Sequence, residues 1–471
     1  MKKLAQSSII TLLVLMMIGL CFFSTPASAK NVNYTSAIRP IIFIHGSGGS
    51  GAQFESQSMR FTSNGYPANL LFAFEYDTST PDTEGSAARM ARLDAFVDTV
   101  LTSTDADKVY LMGHSRGTTE SFTYLGVPAR AAKVAKYVNI DGSSGRTAIV
   151  PTLALWATRG WSYNPANQIV EATNVFIPDQ THVEVATSAE SFVEMYEFFT
   201  GNPPATDQIV PEPPGQVRLT GRAMFYPQGT GVGDGTLEIW EVNGDTGARI
   251  SHRPKETYTL SGSGFTDGAW GPFKAQGLKH YEFVIVREGA RPHHFYFQPF
   301  MRSNHFVRLL TSPPGGIGDL MERNMDSTAL VITRNKEFWG NDTVSNDILT
   351  INGTNAINAA TCPIIKGIYR TGVIGIFAYD RYLNGQTDVS APIPIFYAVG
   401  FMTGVDIYMP AADPPDETIS LVLTPRGGSG KTQVINIANW ASLNHSVSVP
   451  FNDFLQDVSA FPPGRNNLRK R

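Results

Sequence analysis

At 471 residues the chain is too long for one ordinary core, and its 42% hydrophobic content is that of a folded globular protein of two or three domains. The formal net charge of −4, with no long single-sign run outside the last residues NNLRKR, excludes a protein built to hold nucleic acid.

Lys2 and Lys3, the apolar run from Ile9 to Phe23, Pro26 and the small-residue site Ala27-Ser28-Ala29 predict an export signal over residues 1–29, cleaved after Ala29. The run is short for a bilayer span and a cleavage site follows it, so the mature chain is expected to be secreted, with no transmembrane segment. Cys21 would suit a lipoprotein, but Leu20 before it is bulky where that processing needs a small residue. Without Lys2 and Lys3 the 37 basic residues fall to 35 against 41 acidic ones, and Cys362 is the only cysteine left, so no internal disulfide is expected.

From Pro40 the chain reads PIIFIHGSGGSG, an unbroken apolar run that ends in a Gly-rich loop. Further runs follow at 70–76, 109–112, 134–140, 153–157 and 174–177. Unbroken runs suit central parallel strands covered on both faces. Helical stretches separate them: Met90, Leu93, Val97, Val100 and Leu101 share one face, and Thr187 to Glu190 has capping-box spacing ahead of Phe192, Met195, Tyr196 and Phe199. The alternation predicts a doubly wound α/β domain over 30–201.

The third run leads directly into GHSRG, residues 113–117. A strand that ends in Gly-X-Ser-X-Gly is the sequence form of a nucleophile elbow, in which glycines on both sides let the backbone turn tightly around an exposed hydroxyl. Ser115 is therefore the candidate nucleophile. A serine needs a base to take its proton. Of the three histidines in this domain, His45 lies in the first Gly-rich loop and His114 inside the elbow, which leaves His182, just past the last strand. The histidine needs a carboxylate in turn, and the order Ser, Asp, His suits this architecture. Asp141 ends the fourth run on the edge that carries Ser115, and the loop after the fifth run, TRGWSYNP, has no acid. Asp179 is the rival, three residues before His182, where it more readily shapes the turn. For the oxyanion, backbone N–H donors are expected from Arg116, at a helix start, and from Ser47 in the first strand-end loop. No metal-ligand cluster or cofactor motif is evident, so the chemistry is expected to need neither. The adjacent His293 and His294 would point to opposite faces of a strand. RGGSGKT at 426–432 has Pro425 where a phosphate loop needs glycine, and reads as a hairpin turn.

Residues 202–216 contain five prolines and no helical or strand period, which predicts a stiff linker. Beyond it the period becomes two: Val217, Leu219, Ala223 and Phe225 alternate with Arg218, Thr220 and Arg222, as Ile419, Leu421 and Leu423, and Val447, Val449 and Phe451, alternate with polar residues later. With a short helix near Asp319 to Asn324, this predicts two β-sandwich or barrel-like units, 217–322 and 323–456, and a disordered tail over 457–471.

These segments closely resemble the archaeal-type lipases that join an α/β-hydrolase domain to a C-terminal β domain. The likeness runs from FIHGSGGSGAQFESQSMRF through GHSRGT, VAKYVNIDG and NVFIPDQTHVEV to YEFVIVREGARPHHFYFQPF and VINIANWASLNHSVSVPFNDF. The resemblance implies a carboxylic ester hydrolase with nucleophile Ser115, acid Asp141, base His182 and oxyanion donors Ser47 and Arg116. It also implies that the C-terminal β region engages lipid or long acyl chains. One departure stands out: where such lipases insert a long helical lid, only STPDTEGSAARM separates EYDT from ARLDAFVDTV. A smaller, more open site, shorter acyl chains and no interfacial activation are expected, unless the β region supplies the cover. The main alternative is a polymer-directed esterase whose β units hold an insoluble polyester or polysaccharide through aromatics such as Trp240, Tyr296 and Phe297. A third is a binding protein that kept the hydrolase fold.

Overall fold

The computed structural model describes residues 38–367 and 370–456; the expected export signal and the tail from Asp457 lie outside the described residues. The six apolar runs form one parallel sheet: β1 (Ile41–Ile44), β2 (Leu71–Phe74), β3 (Val109–His114), β4 (Val134–Ile140), β5 (Thr152–Ala157) and β6 (Thr173–Ile177), in the order β2-β1-β3-β4-β5-β6. Their unbroken hydrophobicity has a direct cause. Successive side chains leave a strand on opposite faces, and both faces here are covered. Phe43, Tyr110, Met112 and Leu155 pack with Phe192, Met195 and Phe199, while Ile42, Ile44, Leu111 and Trp156 pack with Met90, Leu93 and Val97.

Four helices supply the cover: α1 (Glu55–Ser63), α2 (Ser86–Thr104), α3 (Arg116–Leu125) and α4 (Ala189–Thr200). The buried stripe of α2 is Met90, Leu93, Val97 and Val100, at the spacing of one helical face. The cap of α4 falls one residue later than the capping-box spacing predicts. Ser188, in an extended conformation, accepts from the Ser191 N–H, and Thr187 instead donates its hydroxyl to the Glu184 carbonyl. Gly201, at φ +74°, closes the helix with its N–H on the Glu197 carbonyl.

Residues 202–216 form neither helix nor strand, but they are tied down. The Arg60 guanidinium donates to the Asp207 carbonyl at 3.0 Å, the Asn64 amide to Thr206 at 2.8 Å, and Ile209 is buried beside Met59 and Met301. The region that follows is mostly β-sheet. A three-stranded sheet (269–274, 218–225, 304–311) encloses one core with residues such as Leu237, Phe283 and Phe295, and a four-stranded sheet (354–355, 348–351, 418–424, 433–438) encloses another with Ile332, Ile376 and Val449. Between them a single eight-stranded sheet draws on both expected units. His293–Tyr296 pairs in parallel with Ser446–Phe451, which pairs in parallel with Leu330–Phe338. A strand from the end of the chain thus joins the two halves, and two-residue periodicity cannot reveal such a pairing because it carries no information about the neighbouring strand. Ile419, Leu421 and Leu423, and Val447, Val449 and Phe451, face inward as their alternation requires. In the first β strand the alternation holds as far as Ala223; Met224 is then buried and Phe225 half-buried. Residues 425–432 turn between two antiparallel strands, with Leu423 opposite Gln433, and the short helix expected near Asp319 is a single turn over Ile317–Leu320.

Candidate active site

The C-terminal ends of β1, β3 and β4 and the loop after β6 meet at one edge of the parallel sheet, where open α/β sheets hold their ligands. Ser115 stands between β3 and α3 at φ +54° and ψ −122°, a strained conformation for a residue with a side chain. The two glycines of the pentapeptide make this turn sterically feasible. A Cβ on Gly113 would lie 2.6 Å from the Gly117 carbonyl oxygen, and one on Gly117 would lie 2.2 Å from that of Ile44. Backbone presses on backbone at both points, so no side chain fits.

His182 and Asp141 are joined by a 2.7 Å hydrogen bond from Nδ1 to Oδ2, and both are buried. Asp141 Oδ1 accepts from the Ala157 N–H at 3.0 Å. Burial works to raise the Asp141 carboxyl, but the hydrogen bond from His182 and the Ala157 N–H hold it below the usual carboxylate range. An ionised carboxylate only accepts, so His182 carries its proton on Nδ1. The lone pair is then on Nε2, which is buried without a hydrogen-bond partner. Asp179, the other acid considered, turns outward to ion pairs with Arg159 at 2.7 Å and Arg426 at 2.9 Å.

His114 plays a part that its position inside the pentapeptide did not suggest. Its Nε2 lies 2.8 Å from the His182 carbonyl oxygen, and its Nδ1 lies 2.6 Å from the Gln53 amide nitrogen. A carbonyl can only accept and an amide nitrogen only donate, so His114 is the neutral Nε2–H tautomer. Burial and the nearby His182 push its pKa down to about 3, consistent with that state. Gln53 in turn accepts from the Gly46 N–H at 3.2 Å. One buried chain of hydrogen bonds therefore links the first Gly-rich loop, the elbow and the histidine loop.

The Ser47 and Arg116 N–H groups donate to no partner among the described residues, whereas Gly48 and Gly49 N–H are engaged by Thr78 and Gly46. Arg116 also opens α3, whose N-terminal dipole favours negative charge. Its side chain turns away to Asp82, at 2.7 Å, and to Glu120. The short segment between β2 and α2 is fastened in the same way: Asp77 accepts from Ser79 and Thr83, and Asp82 pairs with Arg89.

A cavity of about 420 Å³ adjoins Ser115 and His182, within the usual range for small-molecule sites. Gly46 and Ser47 line it from the catalytic side, and Tyr226, Phe377 and Phe401 from the β region. The β region also grips the histidine loop. Phe401 stacks over the His182 ring at 6.0 Å on one side and Trp161 lies 4.6 Å away. Burial would raise the Glu184 carboxyl, but Lys336 and Arg426, at 2.6 and 2.8 Å, bring it below the usual range. The contacts of Phe401, Lys336 and Arg426 leave no local mark in the sequence, because each partner lies more than a hundred residues away. Of the aromatics considered for a polymer platform, Tyr296 and Trp240 are buried, and Phe297 packs against the core. His293 and His294 turn to different partners, the first to Thr311 and Ser448 and the second to Glu282 and His445.

Residues 38–121 match the family model for class 2 lipases, residues 215–314 that for the lipase C-terminal domain, and residues 316–455 a further C-terminal domain model. Similar solved structures include Aspergillus fumigatus lipase B, at 12% identity over 36% of this chain and 54% of that one, with a TM-score of 0.29. They also include the metagenome-derived lipolytic enzymes LipS and LipT (11% identity, 35% and 95% covered, TM-score 0.28) and a marine microorganism esterase (14%, 35% and 96%, 0.27). The chain thus spans about half the length of the fungal lipase. The matched segments are thus a class 2 lipase segment within the parallel-sheet domain and a lipase C-terminal segment within the region made mostly of β-sheet.

Proposed function

We propose that this is a secreted ester hydrolase that works through an acyl-enzyme, with Ser115 as nucleophile, His182 as base and Asp141 as the carboxylate that orients it. The observation that carries the reading is the 2.7 Å contact between Asp141 and His182 Nδ1, which leaves the Nε2 lone pair unengaged beside the cavity that Ser115 lines. In the first half-reaction, Nε2 takes the Ser115 proton as Oγ bonds to the ester carbonyl carbon. The C–O bond of the ester then breaks and the imidazolium returns the proton to the leaving alcohol. Water repeats the sequence to release the acid. The oxyanion formed each time is held by the Ser47 and Arg116 N–H groups, which are free of other partners among the described residues. Asp141 stabilises the imidazolium that forms in both steps.

The substrate is a lipid or other ester. The segment 79–90 is too short and too firmly tied to act as a large lid, and Tyr226, Phe377 and Phe401 roof the cavity instead. The β region is the surface through which lipid would be engaged, and no helix among the described residues is long and apolar enough to cross a membrane. A profile of the mature enzyme on esters of rising acyl length, beside its Ser115→Ala variant, tests the reading. The expected result is a maximum at short or medium acyls, no rise at the onset of emulsion, and loss of all activity in the variant. Activity that survives Ser115→Ala would end the mechanism, and a steep rise at emulsion onset would end the lidless reading.

A further inference from the structure

We propose that Glu337, contributed by the β region, is a positioning residue for His182; the inference rests on the reading of His182 as the base. Glu337 sits near the end of the strand Leu330–Phe338 and is 1% exposed. Its Oε1 accepts from the Val183 N–H at 2.7 Å, and its Oε2 accepts from the Glu184 N–H at 2.9 Å and from the Thr181 hydroxyl at 2.7 Å. One carboxylate therefore collects a donor from the residue before His182 and from the two residues after it. On the other side, His114 holds the His182 carbonyl. The imidazole hangs from a backbone fixed at both ends, one grip coming from the elbow and the other from the β region.

The chemistry of the side chain is specific. Every group bonded to the two carboxylate oxygens is a donor, so these surroundings serve the ionised form and offer nothing to a carboxylic proton. Burial opposes this and raises the Glu337 carboxyl. The cations on this wall are already engaged: Lys336 and Arg426 bind Glu184, and Arg334 pairs with Asp347 while donating to the Glu337 carbonyl. The groups that face the His182 ring are Asp141, His114, Trp161 and Phe401, and the Glu337 carboxylate is bonded to the backbone that follows it. Of these, Asp141 and Glu337 can carry negative charge. An imidazolium forming during turnover is thus flanked by one carboxylate in contact and a second just behind its backbone. An amide in place of Glu337 would turn an NH2 group against an N–H and remove that charge.

Full-length wild type, Glu337→Gln and Glu337→Asp are compared on a soluble short-chain ester from about pH 5 to about pH 9, and the His182 ring-carbon NMR signal is titrated without substrate. For folded Glu337→Gln the expected result is a kcat about 10- to 100-fold lower with little change in KM. The acid limb and the ring titration should both move to lower pH by about half a unit or more. Glu337→Asp, which keeps the charge but reaches less far, should keep the midpoint with kcat partly restored. A plug with only a structural role would lower melting temperature and leave kcat per folded molecule and both midpoints alone, and that result overturns the proposal. Should the Gln variant not fold, wild-type kcat in the Asp variant overturns the proposal, and lowered kcat at unchanged KM and midpoint supports it. Because the NMR titration needs no turnover, failure of ester hydrolysis and failure of the role of Glu337 are told apart.

Discussion

Replacing Gly117 by alanine tests the elbow at its tightest point. The added Cβ would lie 2.2 Å from the Ile44 carbonyl oxygen and 2.6 Å from that of His45, whereas ordinary contact begins near 3.4 Å. Relief requires the start of α3 and the end of β1 to part by more than 1 Å, and both obstacles are backbone, which cannot rotate aside as a side chain would. Overpacking of this kind costs about 1–3 kcal/mol, and the upper end is expected because the obstacles are backbone at two successive residues. The movement also separates Ser115 from the loop of Gly46, where a Cβ would already be 3.0 Å from the Ser115 Cβ. A displacement near 1 Å at a reacting group lowers rate by about 100-fold. Urea unfolding and initial rates on a soluble ester, measured on the same preparation, should therefore show a destabilisation of about 2–3 kcal/mol together with a loss in kcat larger than the fraction unfolded explains. A Gly117→Ala protein with wild-type unfolding midpoint and wild-type kcat would refute the packing argument.

Asp141→Asn keeps the shape but replaces a pure acceptor by an amide that can donate to His182 Nδ1, which places the imidazole proton on the wrong nitrogen; kcat on soluble esters should fall by about 10⁴-fold, and a loss below tenfold would count against Asp141. Stability should fall in acid. The buried His114 and half-buried His445 have pKa values pushed down to about 3 and about 4, mainly by burial. The unfolded chain, with histidines near 6.5, therefore binds more protons below that pH, so their contribution is complete above about pH 6.5 and is lost as pH falls towards those values. Urea midpoints of wild type and His445→Gln at pH 7 and pH 5 check this: wild type should lose more than the variant on acidification, and parallel losses contradict it. Glu55 has the opposite sign. Burial and then Asp453 push its carboxyl up to about 8, so its contribution is present below the ordinary carboxylate pKa and is lost as pH rises through 8. Glu55→Gln should thus gain stability over wild type on going from pH 5 to pH 9, by a few kcal/mol at about 1.4 kcal/mol per unit; parallel pH profiles for the two proteins would contradict it.

The α/β domain was legible because its strands are covered on both faces, and burial of that kind leaves runs such as IIFI and VYLM without a polar residue to blur them. Ser115 could be singled out because the turn imposes glycine on both sides, a constraint written locally. Asp141 and His182 lie 41 residues apart, and strand order was enough to suggest that their loops share an edge. The contributions of the β region were not legible in this way. Glu337 lies where the pairing of its strand shifts register between Thr333 and Phe338, so alternation from Leu330, Ile332 and Arg334 gives no hint that it turns inward. The parallel pairing of 293–296 with 446–451 joins segments about 150 residues apart and leaves no mark on either. The sequence places His114 only inside the elbow, and its grip on the His182 carbonyl appears when β3 and the loop after β6 are brought together.

The most direct test of the central claim is labelling with a serine-reactive fluorophosphonate, followed by mass spectrometry of the digested protein. The account predicts one phosphonylated site, Ser115, with labelling abolished in Ser115→Ala and strongly slowed in His182→Ala. Absence of labelling at Ser115, or labelling there that is indifferent to the loss of His182, would contradict it.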